Sequence, residues 1–414
     1  MLDAPPKESE VLSWSYVIVG SLIIFCTIPV ARSLREMVRE HIGIEYFLYF
    51  SMVLVLSAGY LGLRNLHKRR LPLDARLCLF VIFAAFLGYV YTLRAIPEEA
   101  IHVAEYGILG LLVYRALSHR IHDISIYFAA FLVVGSIGII DEYIQWLIPS
   151  RYFDLRDIRT NFIAGALTQV GIAAGLRPRL IHGMPSKKNW SRICLFFAAT
   201  LALMTLGFMN TPQRIAWYST KISFLSYLMN SKSMMVEYGY RYDDPDIGVF
   251  RSRFSATQLK ELDQKRGAEV AKILDTYIRG EGYSAFESIY TVTRDAHAHE
   301  AGVHLFSREY HMDRIRENTE TQAKHYHIAN RENLILAKYF SNALKSSGHY
   351  WSPEVELEIT GNAPKDSSFE SAVSRGVITR FTERQVLSFF AVIIIVLILL
   401  GVRLDGKTRT NWRN

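Results

Sequence analysis

Cysteine is nearly missing from this sequence of 414 residues: there are three, Cys26, Cys78 and Cys194. Each lies in an apolar run, where a thiol behaves as a small hydrophobe, and the polar stretch 210–384 has none. A disulfide framework and a zinc-thiolate centre are thereby excluded. No glycine-rich phosphate loop occurs, which removes the P-loop and dinucleotide-binding classes. No repeat of fixed period and no low-complexity tract stands out, which leaves a solenoid without support. The zinc-protease motif is also lacking. His299-Glu300 is followed by His304, one residue too far for H-E-x-x-H, and a five-residue step turns the second histidine about 140° away on a helix.

Apolar sequence is what the chain has in abundance. Half of its residues are hydrophobic and the mean hydropathy is +0.13, yet the apolar residues come in blocks around one long polar segment. Runs close to the roughly 20 residues that cross a bilayer lie at 12–30, 46–63, 77–93, 101–117, 124–146, 158–176, 192–209 and 386–402. The pattern predicts a mainly α, polytopic membrane protein of about eight spans. The run 101–117, interrupted by His102, Glu105 and Arg115, also fits a re-entrant or interfacial helix. The first run follows an acidic, proline-containing start rather than a basic one and reads as a retained span. Five segments are expected: N-terminal spans at 1–95, a transmembrane core at 96–180, a seventh span at 181–209, a polar domain at 210–384, and a last span with a basic tail at 385–414.

The formal charge of +8 would fit nucleic acid if the cations were clustered on a soluble face, but they abut the ends of the apolar runs. Arg64, Lys68, Arg69 and Arg70 form one group; Arg177, Arg179, Lys187 and Lys188 a second; Arg403, Lys407, Arg409 and Arg413 a third. Placed inside by the positive-inside rule, they put both termini in the cytoplasm and 210–384 outside. Arg32, Arg35 and Arg39 then also fall outside, where Glu36, Glu40 and Glu45 offset them.

Within 210–384, Trp217, Tyr277, Phe286, Tyr290, Phe306, Tyr339, Phe340 and Trp351 supply enough aromatic mass for a folded core. Ser255 followed by Gln258 is a capping box, so a helix is expected from there to a stop at Gly280. A second helix is expected over 320–346 with Gly348 as its stop. Val355, Leu357 and Ile359 alternate with glutamates and predict a short strand. His297, Glu300, His304 and His311 would share one helical face over 295–312. That stripe could bind a divalent metal, but histidines on a solvated or domain-contacting face are the preferred reading, with Leu305 and Phe306 supplying the core contact. No metal and no cofactor are expected.

The stretch 139–165 sets charge between two membrane-compatible ends. Asp141 and Gln145 lie four residues apart, as do Asp157 and Asn161, so each pair shares a helical face; His102, Glu105 and Tyr106 share another. A charge at mid-bilayer costs about 2.5–3.5 kcal/mol, so such groups face a cavity or each other. Two readings follow. Either the groups form a shared polar pocket, or Asp141–Arg151 and Asp157–Arg156 or Asp157–Arg159 pairs stitch a loop to the interface. His102 with several carboxylates and an amide exceeds what stitching requires.

His102 followed by Tyr106 and Leu109-Gly110-Leu111, then Asp141-Glu142 with Gln145, Arg151-x-Phe153, and Asp157 with Asn161 and Gly165, resembles the VanZ-like (teicoplanin-resistance) membrane protein family over about residues 95–180. "HEAGVHLF" and "ENLILAKYF" resemble the tail of larger members. Glu105 has no counterpart in that motif, and the flanking spans and 210–384 lie outside a minimal member. The resemblance implies an integral protein of the bacterial cytoplasmic membrane that binds or modifies an outer-leaflet envelope component and affects glycopeptide sensitivity. In it His102, Asp141, Glu142 and Asp157 are the catalytic candidates, and Tyr106, Gln145, Arg151 and Asn161 the ligand-binding ones. The expected ligand is a membrane lipid or lipid-linked envelope precursor, with an envelope protein as partner of the outer domain and no nucleic acid. A non-catalytic scaffold that recruits such partners is the alternative. No nucleophile with recognisable spacing is present, and no inverted repeat or broken helix speaks for a transporter.

Overall fold

The computed structural model describes residues 6–69, 72–149, 151–231, 234–278, 282–316, 321–364, 368–375 and 381–410. Arg70, the helix stop at Gly280 and Arg413 in the basic tail lie outside these residues. The chain is mainly helical and divides into two compact units, 1–207 with 388–414, and 208–387.

In the first unit the helices are α1 (Glu10–Thr27), α2 (Ala31–His41), α3 (Tyr46–Lys68), α4 (Leu73–Thr92), α5 (Ala100–Leu117), α6 (Ser125–Trp146), α7 (Leu155–Val170) and α8 (Lys187–Met209), and the chain closes with the helix Glu383–Thr410. Among the described residues seven helical segments, not eight, are long and apolar enough to cross a membrane: 10–27, 46–68, 73–95, 97–117, 125–146, 187–209 and 383–405. The expected span at 158–176 is the exception. It is a 16-residue α-helix continued by a π-helical turn, Gly171–Leu176, which ends where Arg177 takes the left-handed conformation at φ 44°. Arg69 Nη1 donates to the Leu176 carbonyl at 2.7 Å, meeting one acceptor that the helix end leaves open. The run 101–117 lies in one continuous helix.

Helix α7 is short in apolar residues because two of its faces are spent on neighbours. Its Asp157, Thr160, Asn161, Ala164, Gly165, Thr168 and Gln169 are buried, packed between α5 and α6. Small residues permit the approach: a Cβ built on Gly138 would lie 2.9 Å from the Asn161 Cβ, and one on Gly165 would lie 2.9 Å from Val134 Cγ1. Thr168 Oγ1 donates to the Ala164 carbonyl at 3.0 Å, and Gln169 Nε2 to the Gly110 carbonyl at 3.0 Å, so the donors of these two side chains pair with backbone.

The second unit contains α9 (Pro212–Ser219), a hairpin of β1 (Tyr240–Asp244) and β2 (Gly248–Ser252), then α10 (Ala256–Thr276), α11 (Tyr283–Ile289), α12 (Val292–Arg316), α13 (Gln322–Tyr339), α14 (Ser341–Ser346) and α15 (Pro353–Asn362). The capping box forms as expected, Ser255 and Gln258 each satisfying the other's backbone N–H. Strands β1 and β2 pair antiparallel, Tyr242 opposite Phe250, across a turn in which Gly248 has φ +106° and a Cβ would strike the Phe369 carbonyl.

Two expectations are corrected. Residues 354–359 are helical, not a strand: the Ser352 hydroxyl accepts from Val355 N–H, and Pro353 occupies the first helical turn, where its missing donor costs nothing. The strand element of this domain lies instead at 240–252. The expected helix 320–346 is broken at Phe340 (φ −129°, ψ 38°), whose side chain is fully buried.

The core of this unit joins Ile247, Phe250, Leu259, Val270, Leu274, Ala301, Leu305, Ile335, Leu336 and Phe340. A smaller cluster holds Ile315, Ala329, Trp351 and Ile359. Beside it Arg308, fully buried, donates to Asn333 Oδ1 and to the His349 carbonyl, each at 2.7 Å, and its guanidinium carbon lies 4.9 Å from the Trp351 ring centre.

Candidate functional site

Three elements of the membrane unit bring the charged stretch together. Tyr106 of α5, fully buried, donates its hydroxyl to Asp141 Oδ2 of α6 at 3.0 Å. One turn on, Gln145 Nε2 donates to Glu142 Oε1 at 2.7 Å and approaches Asp141 Oδ2 at 3.5 Å. The Gln145 carbonyl oxygen in turn accepts from Arg151, whose Nε lies at 3.1 Å. Glu142 Oε2 accepts from the Asp154 backbone N–H at 2.8 Å, which ties the 147–154 loop to α6.

Asp154 caps α7 by accepting from Arg156 N–H at 2.7 Å, and its other oxygen accepts from Arg156 Nη2 at 2.6 Å. Asp157 and Asn161 follow along the buried face of α7. His102 stands 3.7 Å from Glu105 on the same helix. The eight residues singled out in the sequence therefore gather around α5, α6 and α7, with Asp141, Glu142 and Asn161 fully buried and Asp157 8 % exposed.

The ion pairs that would stitch the loop to the interface do not form among the described residues. Arg151 bonds Gln145 rather than Asp141, and Arg156 pairs with Asp154 and, at 3.8 Å, with Glu99 rather than with Asp157. Several buried polar atoms instead have no hydrogen-bond partner among the described residues: His102 Nδ1, Asp141 Oδ1, Asp157 Oδ1 and both amide atoms of Asn161. Unpaired groups of this kind cost about 1–3 kcal/mol each, so a built site leaves them open only for something that will fill them.

Glu99, Asp154 and Asp157 bring carboxylate oxygens within 4.8 Å of one another, near enough to share a cation. Arg156 already engages both oxygens of Asp154, so a metal would have to displace a bidentate guanidinium. Glu99 and Asp154 were not singled out in the sequence; Asp154 stands within the charged stretch, but its role as a helix cap shows only in the fold.

The histidine stripe lies in the second unit. In place of the solvated or domain-contacting face preferred from the sequence, His297, Glu300 and His304 point inward with at most 2 % exposure; Leu305 is in the core as expected, but Phe306 is exposed. His304 Nδ1 lies 2.6 Å from Glu332 Oε2, and Ser371 donates to the other Glu332 oxygen at 2.8 Å. Burial disfavours the His304 imidazolium, but the charge and hydrogen bond of Glu332 outweigh it, with help from Glu300, and the pKa stands above the usual 6.5. Burial, joined by the charge of His325 at 2.7 Å and of Lys324, outweighs the opposing Glu332 at His311 and brings it down to about 4. No carboxylate or imidazole trio suited to a metal forms along the stripe among the described residues.

Comparison of the chain with protein-family models, with curated proteins and with solved structures finds no match.

Proposed function

We propose that the chain is a VanZ-like integral membrane protein whose α5–α6–α7 site binds or modifies the polar head of an outer-leaflet envelope component, a lipid or lipid-linked precursor. The observation that carries this reading is the set of buried, unpartnered polar atoms on His102, Asp141, Asp157 and Asn161 inside a helical bundle. Water or a polar head group would satisfy them; a purely structural hinge would leave them paired.

In this reading His102 handles a proton, Asp141, Glu142 and Asp157 orient it or activate a nucleophile, and Tyr106, Gln145, Arg151 and Asn161 hold the head group. Residues 155–176, α-helix and π turn together, form an eighth span. Both termini face the cytoplasm and the unit 208–387 faces outward, as the cationic clusters favour. A non-catalytic scaffold is the second reading. It is favoured by the way the site's members bond one another, Tyr106 to Asp141, Gln145 to Glu142 and Arg151 to Gln145.

The test measures glycopeptide sensitivity of cells carrying Asp141→Asn, Arg151→Ala or Asp157→Asn. Each variant is expected to abolish the phenotype at unchanged protein level, because these groups contribute little to insertion. Variants that are made and then degraded would assign the cluster to stability instead of ligand.

A further inference from the structure

The unit 208–387 contains a cavity of about 450 Å³, within the range of about 300–1,000 Å³ usual for small-molecule sites. Its lining comes from β2, α11 and α12, from the residues that follow β2 and α11, and from Glu237, Ala372 and Val373.

Two polar groups on the α12 wall are buried and unmet among the described residues. Glu300 accepts from the Arg253 backbone N–H at 3.2 Å and from its guanidinium at 3.4 Å, both on Oε2, which leaves Oε1 open. His304 uses Nδ1 on Glu332 and leaves Nε2 open. A third wall residue, His299, has its Nδ1 2.8 Å from the Tyr290 carbonyl. A carbonyl only accepts, so Nδ1 carries the proton and Nε2 is an acceptor; burial keeps this imidazole neutral by lowering its pKa.

The electrostatics exclude a strongly charged ligand. Three carboxylates line the cavity, Glu237, Glu287 and Glu300, and they face Arg251 and Arg253, while His304 is engaged through Nδ1 with Glu332. Arg253 is held between Glu237, at 2.5 Å from its Nε, and Glu300. Three carboxylates against two guanidiniums leave little net field to draw in an anion or a polycation, but they present fixed donors and acceptors in planar side chains. Beside them Tyr283 and Phe306 stack with ring centres 3.8 Å apart, an apolar wall next to the polar one.

We propose that this cavity binds a neutral, hydroxyl-rich ligand of sugar type, with Glu300 Oε1 and His299 Nε2 accepting from its hydroxyls, Arg253 donating, and the Tyr283–Phe306 wall covering a ring face. A sugar ring carries hydroxyls that both donate and accept around an apolar C–H face, which matches this alternation of acceptor, donor and aromatic surface.

The test is saturation-transfer NMR on the full chain in lipid nanodiscs, with methyl β-glucoside and N,N′-diacetylchitobiose as probes and with inorganic phosphate and putrescine as charged competitors, a preference for either being read as loss of the sugar signal. Transfer to the ring protons of at least one sugar is expected. Loss of the open acceptor in Glu300→Gln should weaken binding about tenfold or more. Because that change also touches the Arg253 pair, Phe306→Ala, at a half-exposed position, is the second variant; it should lose transfer while keeping the wild-type circular dichroism spectrum. Absence of transfer to either sugar, transfer undiminished in Phe306→Ala, or a preference for phosphate or putrescine would each overturn the proposal. None of these outcomes depends on the membrane site, so a glycopeptide phenotype lost in Asp141→Asn leaves this test unaffected.

Discussion

Glu332→Gln offers a sharp perturbation, because a single buried pair then loses its charge with almost no change of shape. In the wild-type protein Glu332 Oε2 lies 2.6 Å from His304 Nδ1, with both side chains at or below 1 % exposure. A charge-assisted hydrogen bond of this kind contributes about 1.5–3 kcal/mol. Glutamine retains an oxygen that accepts from Nδ1–H, so the expected loss is about 2 kcal/mol, equivalent to roughly thirtyfold in the opening equilibrium.

The sign with pH follows from the raised pKa of His304. A group whose folded pKa exceeds its unfolded value stabilises fully below the unfolded value, and that contribution fades as pH rises through the folded one. The difference between wild type and variant should therefore be largest below the unfolded value and shrink as pH rises above it through the folded one. Amide hydrogen exchange at Ala301, Leu305, Ile335 and Leu336, corrected for intrinsic rates and measured on the full chain in nanodiscs, reads the opening of α12 and α13 directly. A difference that stays constant over that range, or grows with pH, would refute the assignment of an imidazolium–carboxylate pair.

Two other changes report on separate parts of the molecule. Gly138→Ala places a methyl 2.9 Å from the Asn161 Cβ, so it should cost about 1–3 kcal/mol in resistance to thermal inactivation and displace Asn161 from the site. An alkaline phosphatase fused after Ser231 is expected to be active and a cytoplasm-dependent reporter at the same point silent; the reverse pattern would invert the proposed topology.

The sequence carried the elements whose cause is local. The capping box at Ser255 and Gln258 fixed the start of α10, and apolar runs located the seven long helices. Where two local signals competed, the stronger chemistry decided. Val355, Leu357 and Ile359 alternate like a strand, but Ser352-Pro353 is a helix start, and its side-chain cap is formed. The hairpin was overlooked although Asp243-Asp244-Pro245-Asp246-Ile247-Gly248, between two tyrosines and Val249-Phe250, is a turn signal with Gly248 at the position that needs positive φ.

For the membrane site, four-residue spacing placed Asp141 with Gln145 and Asp157 with Asn161 on shared faces. It could not tell that Arg151 would bond an amide rather than a carboxylate, since that depends on the path of the 147–154 loop. The inward turn of the histidine stripe was equally hidden. The partner of its His304 is Glu332, which lies 28 residues along the chain and reaches it only once α12 and α13 pack.

Arg308 carries a consequence for timing. A guanidinium does not shed its proton, so this one leaves water only when its acceptors on Asn333 and His349 and the face of Trp351 are ready together. Pulling any one of them away alone would leave the guanidinium, still paired with the neighbouring Glu309 carboxylate, short of a partner in the interior. Residues 347–351 form no helix of their own, yet they are bolted through that charge to α12 and α13. The loop therefore opens with the slow clock of the two helices and does not fray at the rate ordinary for a surface turn.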